Sequence, residues 1–297
     1  MKPHWKALLG GYLPCLFAVT VWGGTFTVSK QVLAVMPPLQ LLLARFVVAY
    51  VALWTVSPRR LRWQGLGTEA RLAGMGLLGV TLYFCFENLA LLHGSAGMVS
   101  VVVCTSPVLT ALLPRLVGTR ARPLGGGYWL GFALAAVGVL LTVSRGDWGV
   151  LRGAWTGAAL AATGAVTWAF YTLLAQGLPA SLGQLALTRR TFFWGLVTMV
   201  PLCAVEWGRW QWASWLPGPT LWRVLGLGLV AGAGCYLAWN CSVKRLGSLR
   251  TSLFLYLNPV VGVVTAALIL GEALTPMVLL GVVLTLAGVA LSSLSTR

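Results

Sequence analysis

The sequence contains few acidic residues and few charged residues of any kind. Only 5 of its 297 residues are Asp or Glu, and charged residues make up 9% of the chain, whereas about 25% is usual in a soluble domain. A chain with so little charge has too little polar surface to dissolve. Its mean hydropathy of +0.86 therefore predicts an all-α integral membrane protein.

The sequence is also poor in residues that carry enzyme or metal chemistry. It has two histidines, His4 and His93, and none of its six cysteines forms a CxxC pair. No ATP-binding loop is present either, so ion gradients or the substrate's own gradient would have to supply any energy. We therefore expect no metal, no cofactor and no intramembrane enzyme.

Apolar runs of membrane-spanning length follow one another along the whole chain. Each is close to the roughly 20 residues that a helix needs to cross the hydrocarbon core. They predict ten transmembrane helices at 11–34, 38–57, 70–92, 95–116, 124–143, 154–176, 185–205, 220–243, 248–270 and 275–294.

Lysine and arginine predict the orientation of these spans. Of the 21 basic residues, fifteen fall on the side of the N-terminus, five on the opposite side, and Arg45 lies inside the second span. The positive-inside bias then predicts a multi-pass inner-membrane protein with both termini in the cytoplasm. The net charge of +16 needs no nucleic-acid partner, because the basic loops face anionic membrane lipid.

The chain contains an internal repeat. "NLALLHGSAGMVSVVVCTSP" (88–107) aligns with "NCSVKRLGSLRTSLFLYLNP" (240–259), and "LGFALAAVGVLL" (130–141) aligns with "LGVVLTLAGVAL" (280–291). An earlier match joins "AVTVW" (18–22) to "AVTW" (165–168). We predict two units, 1–145 and 146–297. Because each unit has an odd number of helices, the second must be inverted in the membrane.

The order of several short motifs resembles one family. The motifs that carry this resemblance are a Trp in the first span, "LLARF" in the second, "ENLAL" in the third, "TSP" and "LNP" in the fourth and ninth, and "LGEALTPMVLLGVVLTLAGVAL" at the end. With these motifs in this order, the chain resembles the drug/metabolite transporter superfamily, EamA type. This resemblance implies two five-helix halves around a cavity, and export of small metabolites such as amino acids, often by proton exchange. The "GE" pair before the last helix of each half is present only as Gly271 and Glu272; the first half has Gly118 and Thr119.

Glu87 is the main candidate site residue. A carboxylate inside a transmembrane helix costs a few kcal/mol to insert, so it needs a partner, a wet cavity or a neutralising proton. Arg45 in the second span is predicted at a similar depth. Two hypotheses remain open: a structural ion pair between Arg45 and Glu87, or a Glu87 that exchanges protons or holds the amine of a substrate.

Other polar and aromatic residues occupy matched positions in the two halves. Asn88 and Asn240 are equivalent in the repeat and could bind substrate or only join helices. Trp22 and Trp168 occupy matched mid-span positions, and Trp168 shares a helix face with Tyr171, Tyr83 with Glu87, and Tyr236 with Asn240. These rings could line a pocket or simply pack against glycines. The full predicted set of substrate-binding residues is Trp22, Tyr83, Glu87, Asn88, Trp168, Tyr171, Tyr236, Asn240 and Asn258.

Two prolines and two arginines complete the predictions. Pro107 and Pro259 each remove a backbone hydrogen bond inside a span, at matched positions, and are candidates for gating residues. Arg189 and Arg190 correspond to Arg45 in the second half, have no acidic counterpart nearby in the sequence, and are interpreted as interfacial anchors or as a dock for an anionic group.

One apparent nucleotide-binding motif is rejected. "GMGLLG" (74–79) satisfies GxGxxG, but it lies inside an apolar span with no strand before it. We interpret it as a small-residue surface for helix packing.

These features predict a secondary carrier that exports small zwitterionic or aromatic metabolites by alternating access. Efflux of lipophilic cationic drugs is the alternative substrate class, with Glu87 as counter-ion. A membrane scaffold or receptor is the alternative without transport.

Overall fold

The structure, a computed structural model, describes residues 4–58, 63–116, 124–175, 178, 182–210, 218–246 and 254–295. None of these residues forms a strand. They form ten helical segments, and we number them α1 (His4–Leu33), α2 (Pro38–Val56), α3 (Leu66–His93), α4 (Ala96–Val103 and Ser106–Leu116), α5 (Gly126–Ser144), α6 (Trp148–Ala175), α7 (Gln184–Glu206), α8 (Pro219–Leu225, Gly226–Gly234 and Cys235–Leu246), α9 (Leu257–Leu270) and α10 (Pro276–Ser295).

The prediction of an all-α membrane protein with ten spans is confirmed. Eight of the helices have at least 18 residues and are apolar enough to cross a membrane, and the last two spans contain the shorter apolar helical stretches Phe254–Leu270 and Pro276–Ser292. Large apolar side chains point outward along the bundle: Val200, Leu268 and Val283 are 62%, 80% and 61% exposed. Such faces are stable only against lipid.

Proline, glycine and serine determine several helix ends. Pro38, Pro219 and Pro276 are the first residues of α2, α8 and α10, where a helix has no need of the missing N–H. Gly271 ends α9 with a φ of 68°, which glycine adopts without strain. The Ser95 hydroxyl accepts a 3.1 Å hydrogen bond from the Met98 N–H and begins α4.

Contacts between helix ends establish the inverted topology. We call the end of the bundle at which α1, α3, α5, α7 and α9 finish the outer end, after the orientation predicted from charge. Lys30 of α1 lies there beside Gly94, which follows α3. At the same end, Gly157 in the first part of α6 packs on the backbone of His93. Since α6 starts where α1 finishes, the second half enters from the opposite side, and the inverted repeat is confirmed.

The last helices of the two halves pack against each other through glycines. A Cβ added to Gly131 would lie 2.5 Å from the Gly288 carbonyl oxygen, and one added to Gly138 would lie 2.6 Å from that of Gly281. The repeat aligns Gly131 with Gly281 and Gly138 with Gly288. The interface between α5 and α10 is therefore reciprocal, as expected for two copies related by an approximate two-fold axis.

Two π-helical segments interrupt α3 and α8 at related positions, a feature that the sequence analysis did not predict. They cover Leu77–Leu82 and Gly226–Gly234, which overlap when the halves are aligned. Such segments often occur at functional sites. In α3 the Thr81 hydroxyl donates to the Gly195 carbonyl of α7 at 2.9 Å, so the segment joins the two halves.

The "GMGLLG" stretch leads into the first of these segments and has the predicted packing role. Gly74 contacts Leu174, Gly76 contacts the backbone of Gly195, and Gly79 contacts the ring of Tyr171.

Candidate functional site

Arg45 and Glu87 form a buried ion pair. The Arg45 Nη1 and Glu87 Oε1 atoms are 3.9 Å apart, and the two side chains are 4% and 3% exposed. Neither of these two atoms has a hydrogen-bond partner within the described part of the chain. The distance permits strong attraction but is too long for a hydrogen bond. Within the described residues, the Arg45 Nη1 donor and the Glu87 Oε1 acceptor therefore face each other without a hydrogen bond, and both are shielded from water.

The ion pair is enclosed by aromatic rings. The Arg45 guanidinium carbon lies 4.4 Å from the Phe84 ring centre and 5.4 Å from that of Phe46, within the range of cation–π attraction. The Tyr83 hydroxyl lies near the Glu87 carboxylate. Both charges are thus placed where aromatic faces, rather than water, surround them.

These rings belong to one continuous series of aromatic contacts, which we call the aromatic cluster. Neighbouring ring centres in it lie 4.7 to 5.4 Å apart. Helices of both halves contribute. In the order of contact the members are Trp239, Trp22, Tyr236, Phe192, Phe46, Phe84, Tyr83, Trp168 and Tyr171.

Most of the predicted site residues come together in this cluster. Trp22, Tyr83, Trp168, Tyr171 and Tyr236 are members, and the Arg45–Glu87 pair lies against it. The Trp22 indole is held in place by a 3.0 Å hydrogen bond to the Ala231 carbonyl in the π-helical segment of α8. The sequence analysis did not predict the phenylalanines, because an apolar ring in an apolar span carries no distinguishing signal.

The predicted asparagines have different surroundings. Asn88 is fully buried and donates from Nδ2 to the Pro38 carbonyl at 3.0 Å, which joins α3 to the start of α2. Its Oδ1 and the Oδ1 of Asn258 are buried without a hydrogen-bond partner in the described part of the chain. The Asn258 carbonyl lies against Gly23 of α1, one residue from Trp22. The side chain of Asn240 lies outside the described residues.

The two predicted gating prolines differ in the structure. Cys104 and Thr105 interrupt α4 immediately before Pro107, and the carbonyl oxygen of Val103 accepts a hydrogen bond from the Ser106 hydroxyl. Pro259 lies in the first turn of α9, after a 3-10 turn at Phe254–Tyr256, and residues 247–253 lie outside the described residues. A gating role for either proline stays a prediction.

The prediction that Arg190 has no acidic counterpart nearby is wrong. Its Nη1 forms an ion pair with Glu69 Oε1, and the two side chains are 6% and 5% exposed. The same carboxylate accepts from the Trp194 indole at 3.2 Å and from the Gln64 N–H at 3.2 Å. Residues 69 and 190 are far apart in the sequence, but α3 and α7 pack side by side. The neighbouring Arg189 donates to the Ser57 carbonyl, so neither arginine is a simple interfacial anchor.

Glu272 belongs to the "GE" motif that only the second half contains, and it contacts the first half at the outer end. Its Oε1 accepts from the Ala96 N–H at 2.7 Å and its Oε2 from the Gly97 N–H at 3.2 Å. Lys30 Nζ lies 3.7 Å from Oε1. A carboxylate at a helix N-terminus is stabilised by the free N–H groups and the helix dipole. This contact, which we call the outer latch, joins the second half to α1 and α4 of the first.

We expect Glu272→Ala to loosen the start of α4. The Ala96 and Gly97 amides would lose their acceptor, so their hydrogen exchange should become at least about tenfold faster, which corresponds to about 1.4 kcal/mol. Hydrogen-exchange mass spectrometry of the purified protein measures this. Glu206→Ala is the matched control, because the Glu206 Oε2 accepts from the Leu39 N–H at the start of α2 at 3.0 Å. Equal exchange at α4 in all three proteins would contradict the role of the outer latch.

Comparison with known proteins agrees with this architecture. The model of the EamA-like transporter family matches residues 9–144 and 155–294. A solved crystal structure superposes with a TM-score of 0.60 over 97% of this chain and 96% of its own, at 20% identity, which supports the fold alone.

Curated relatives carry transporter names. The chain is 28% identical over 293 residues to a probable amino-acid metabolite efflux pump of Escherichia coli, covering 95% of this chain and 94% of the relative. It is 27% identical over 274 residues to the uncharacterized inner membrane transporter YedA of the same organism, covering 88% and 83%. Two family matches in succession, together with ten helices in two inverted halves, place this chain in the EamA-like transporter family, as a small-molecule transporter rather than an enzyme.

Proposed function

We propose that this transporter exports amino acids or closely related zwitterions, with Arg45 and Glu87 as the groups that bind the two charges of the substrate. The supporting observation is that Arg45 Nη1 and Glu87 Oε1 face each other at 3.9 Å and that neither atom has a hydrogen-bond partner among the residues that the structure describes. A guanidinium matches the geometry of a carboxylate, and a carboxylate attracts an ammonium group. A zwitterion therefore offers each member of the pair a replacement partner.

The aromatic cluster supports a substrate with an apolar or aromatic side chain. The cluster, which includes Trp22, Tyr83 and Trp168, adjoins the ion pair through Phe46, Phe84 and Tyr83. Aromatic ring faces bind apolar groups by packing and cationic groups by their quadrupole. A lipophilic cation without a carboxylate fits less well, because it would neutralise Glu87 and leave Arg45 buried without a counter-charge.

Alternating access is supported by contacts between the halves at both ends of the bundle. The outer latch joins Glu272 to Lys30 and α4, and the Glu69–Arg190 pair joins α3 to α7 at the opposite end. Because these contacts lie on opposite sides of the Arg45–Glu87 pair, one of them can break while the other stays in place. A carrier exposes its site to one side at a time in this manner.

Proton coupling and the direction of transport are parts of the same proposal. A buried carboxylate can take a proton when its charged partner leaves, so Glu87 would carry a proton inward after the substrate has left outward. The names of the relatives, an efflux pump and an inner membrane transporter, favour export across the inner membrane. The charge distribution favours cytoplasmic termini.

Counterflow in reconstituted vesicles tests this function. Labelled phenylalanine, phenylacetate and phenethylamine share a phenyl ring and carry, respectively, both charged groups, only the carboxylate and only the ammonium. We expect saturable movement of phenylalanine, faster with an imposed pH gradient, and little movement of the other two compounds above protein-free vesicles. Movement of phenethylamine alone would favour the cationic-drug alternative, and movement of none of the three would contradict a zwitterion site.

A further inference from the structure

A cavity at the outer end lies apart from the Arg45–Glu87 pair. Its volume is about 390 Å³, and it lies between the ends of α3 and α5, the first turn of α4 and the second turn of α6. His93, Ser95, Thr142 and Arg145 supply polar groups, and Met98 and Val143 supply apolar surface. No member of the aromatic cluster is among its lining residues.

The charged group of this cavity is Arg145. Its side chain has no hydrogen bond or ion pair within the described part of the chain, and neither has the exposed imidazole of His93. The Thr142 hydroxyl already donates to the Gly138 carbonyl at 2.9 Å, so it can act only as an acceptor. The free donors of the cavity therefore come from the Arg145 guanidinium, the His93 imidazole and the Ser95 hydroxyl, and all three suit an anionic ligand.

The backbone of Arg145 is unusual in a way that favours a role for its side chain. Its φ of 52° makes it the one non-glycine residue with a positive φ among those that the structure describes. The left-handed conformation costs an L-residue about 1–2 kcal/mol, and glycine usually takes this place after a helix. If this position only had to end the helix, glycine would do so without strain. The presence of arginine therefore favours a role for its side chain.

The cavity adjoins the outer latch. A smaller cavity shares Ser95, Met98, Thr142 and Arg145 with it and reaches Glu272. A ligand bound at Arg145 would thus lie beside the contact that must open toward the outer side, while remaining accessible from that side through the exposed His93.

We propose that this cavity, which we call the outer site, binds a small carboxylate with an apolar body, independently of the Arg45–Glu87 site. The Arg145 guanidinium binds the carboxylate, with His93 beside it, and Met98 and Val143 contact the apolar part. The volume suffices for a compound of the size of phenylacetate. An ammonium group on the ligand is not required, because the unpartnered polar side chains of the outer site carry no acid.

Phenylacetate is the probe, and titration calorimetry of the full-length protein in lipid nanodiscs is the measurement. Arg145→Gly removes the guanidinium and relieves the positive φ, so this variant should fold. We expect it to weaken phenylacetate binding at least about tenfold, which is about 1.4 kcal/mol. Arg145→Lys should retain part of the affinity, and phenethylamine should not bind to the outer site of any variant.

Two matched variants separate this proposal from the function proposed above. Arg223→Ala removes one positive charge at the same end of the bundle, outside the cavity lining, and should bind phenylacetate as the parent does. Arg45→Met/Glu87→Leu, which removes both central charges and leaves neither one unpaired, should also leave phenylacetate binding unchanged. No binding to the parent protein, or equal binding to the parent and Arg145→Gly, would overturn the outer site. Binding that is lost in Arg45→Met/Glu87→Leu but kept in Arg145→Gly would also overturn it and would place the carboxylate at the central pair.

Discussion

Glu87→Gln is expected to reduce phenylalanine counterflow at least about 100-fold and to abolish its dependence on a pH gradient. Glutamine keeps the size of the side chain but offers neither a charge for an ammonium group nor a site for an exchanged proton. It also leaves Arg45 buried without a counter-charge, which costs about 3–5 kcal/mol when one partner of a buried pair is removed. The rate must therefore be measured per correctly folded molecule, with folding monitored by monodispersity and thermal unfolding.

A double variant separates binding from structural support. In Arg45→Met/Glu87→Leu the pair is replaced by apolar groups of similar volume, a change that is often neutral or stabilising. If the pair only joins α2 to α3, this variant should fold and transport normally. If the pair binds substrate, the variant should fold and not transport. Glu206→Gln is the control for loss of a carboxylate at the same end of the bundle, and it should keep the parent rate.

Gly138→Ala is expected to destabilise the packing of α5 against α10. The added Cβ would lie 2.4 Å from the Thr285 nitrogen and 2.6 Å from the Gly281 carbonyl oxygen. These are backbone atoms of α10, so the two helices would have to move apart. Overpacking of this kind costs about 1–3 kcal/mol, and thermal unfolding of the detergent-solubilised protein measures it.

The same helix provides the control for this prediction. Gly126 begins α5, and a Cβ added there meets no atom within 4 Å. Gly126→Ala should therefore be neutral or slightly stabilising, because alanine favours the helix. The reciprocal change Gly288→Ala should resemble Gly138→Ala, since its Cβ would lie 2.4 Å from the Ala135 nitrogen of α5. Unchanged unfolding of both variants would contradict the close approach of α5 and α10.

The membrane spans were predictable because insertion depends on local composition. Each span needs enough consecutive apolar residues to cross the hydrocarbon core, a condition that can be evaluated without knowing the neighbours of the helix. The helix ends were predicted less well: α1 begins at His4 and α3 at Leu66, instead of residues 11 and 70, because helices continue past the apolar core. The repeat was visible because "LGFALAAVGVLL" and "LGVVLTLAGVAL" preserve the small residues that pack α5 against α10.

The site was predictable only in part. Glu87 and Arg45 could be recognised because a charge inside an apolar span is costly and needs a partner, and the structure pairs these two residues. Glu69 could not be assigned to Arg190 from the sequence, because both stand at span ends, where a charge has several acceptable partners. The structure joins them because α3 and α7 lie side by side and because Gly76 fits against the backbone of Gly195.

The sequence by itself thus determined the membrane environment, the number of helices, their duplication and inversion, and the depth of the two central charges. Only the tertiary structure decided which rings surround those charges, that Glu272 of the unpaired "GE" motif holds the start of α4, and that Arg145 faces a cavity. The reason is that hydropathy and repeats are properties of one segment at a time. Contacts between helices depend on how each helix is rotated about its own axis. The π-helical segments in α3 and α8 change this rotation, and the close packing of glycines fixes it.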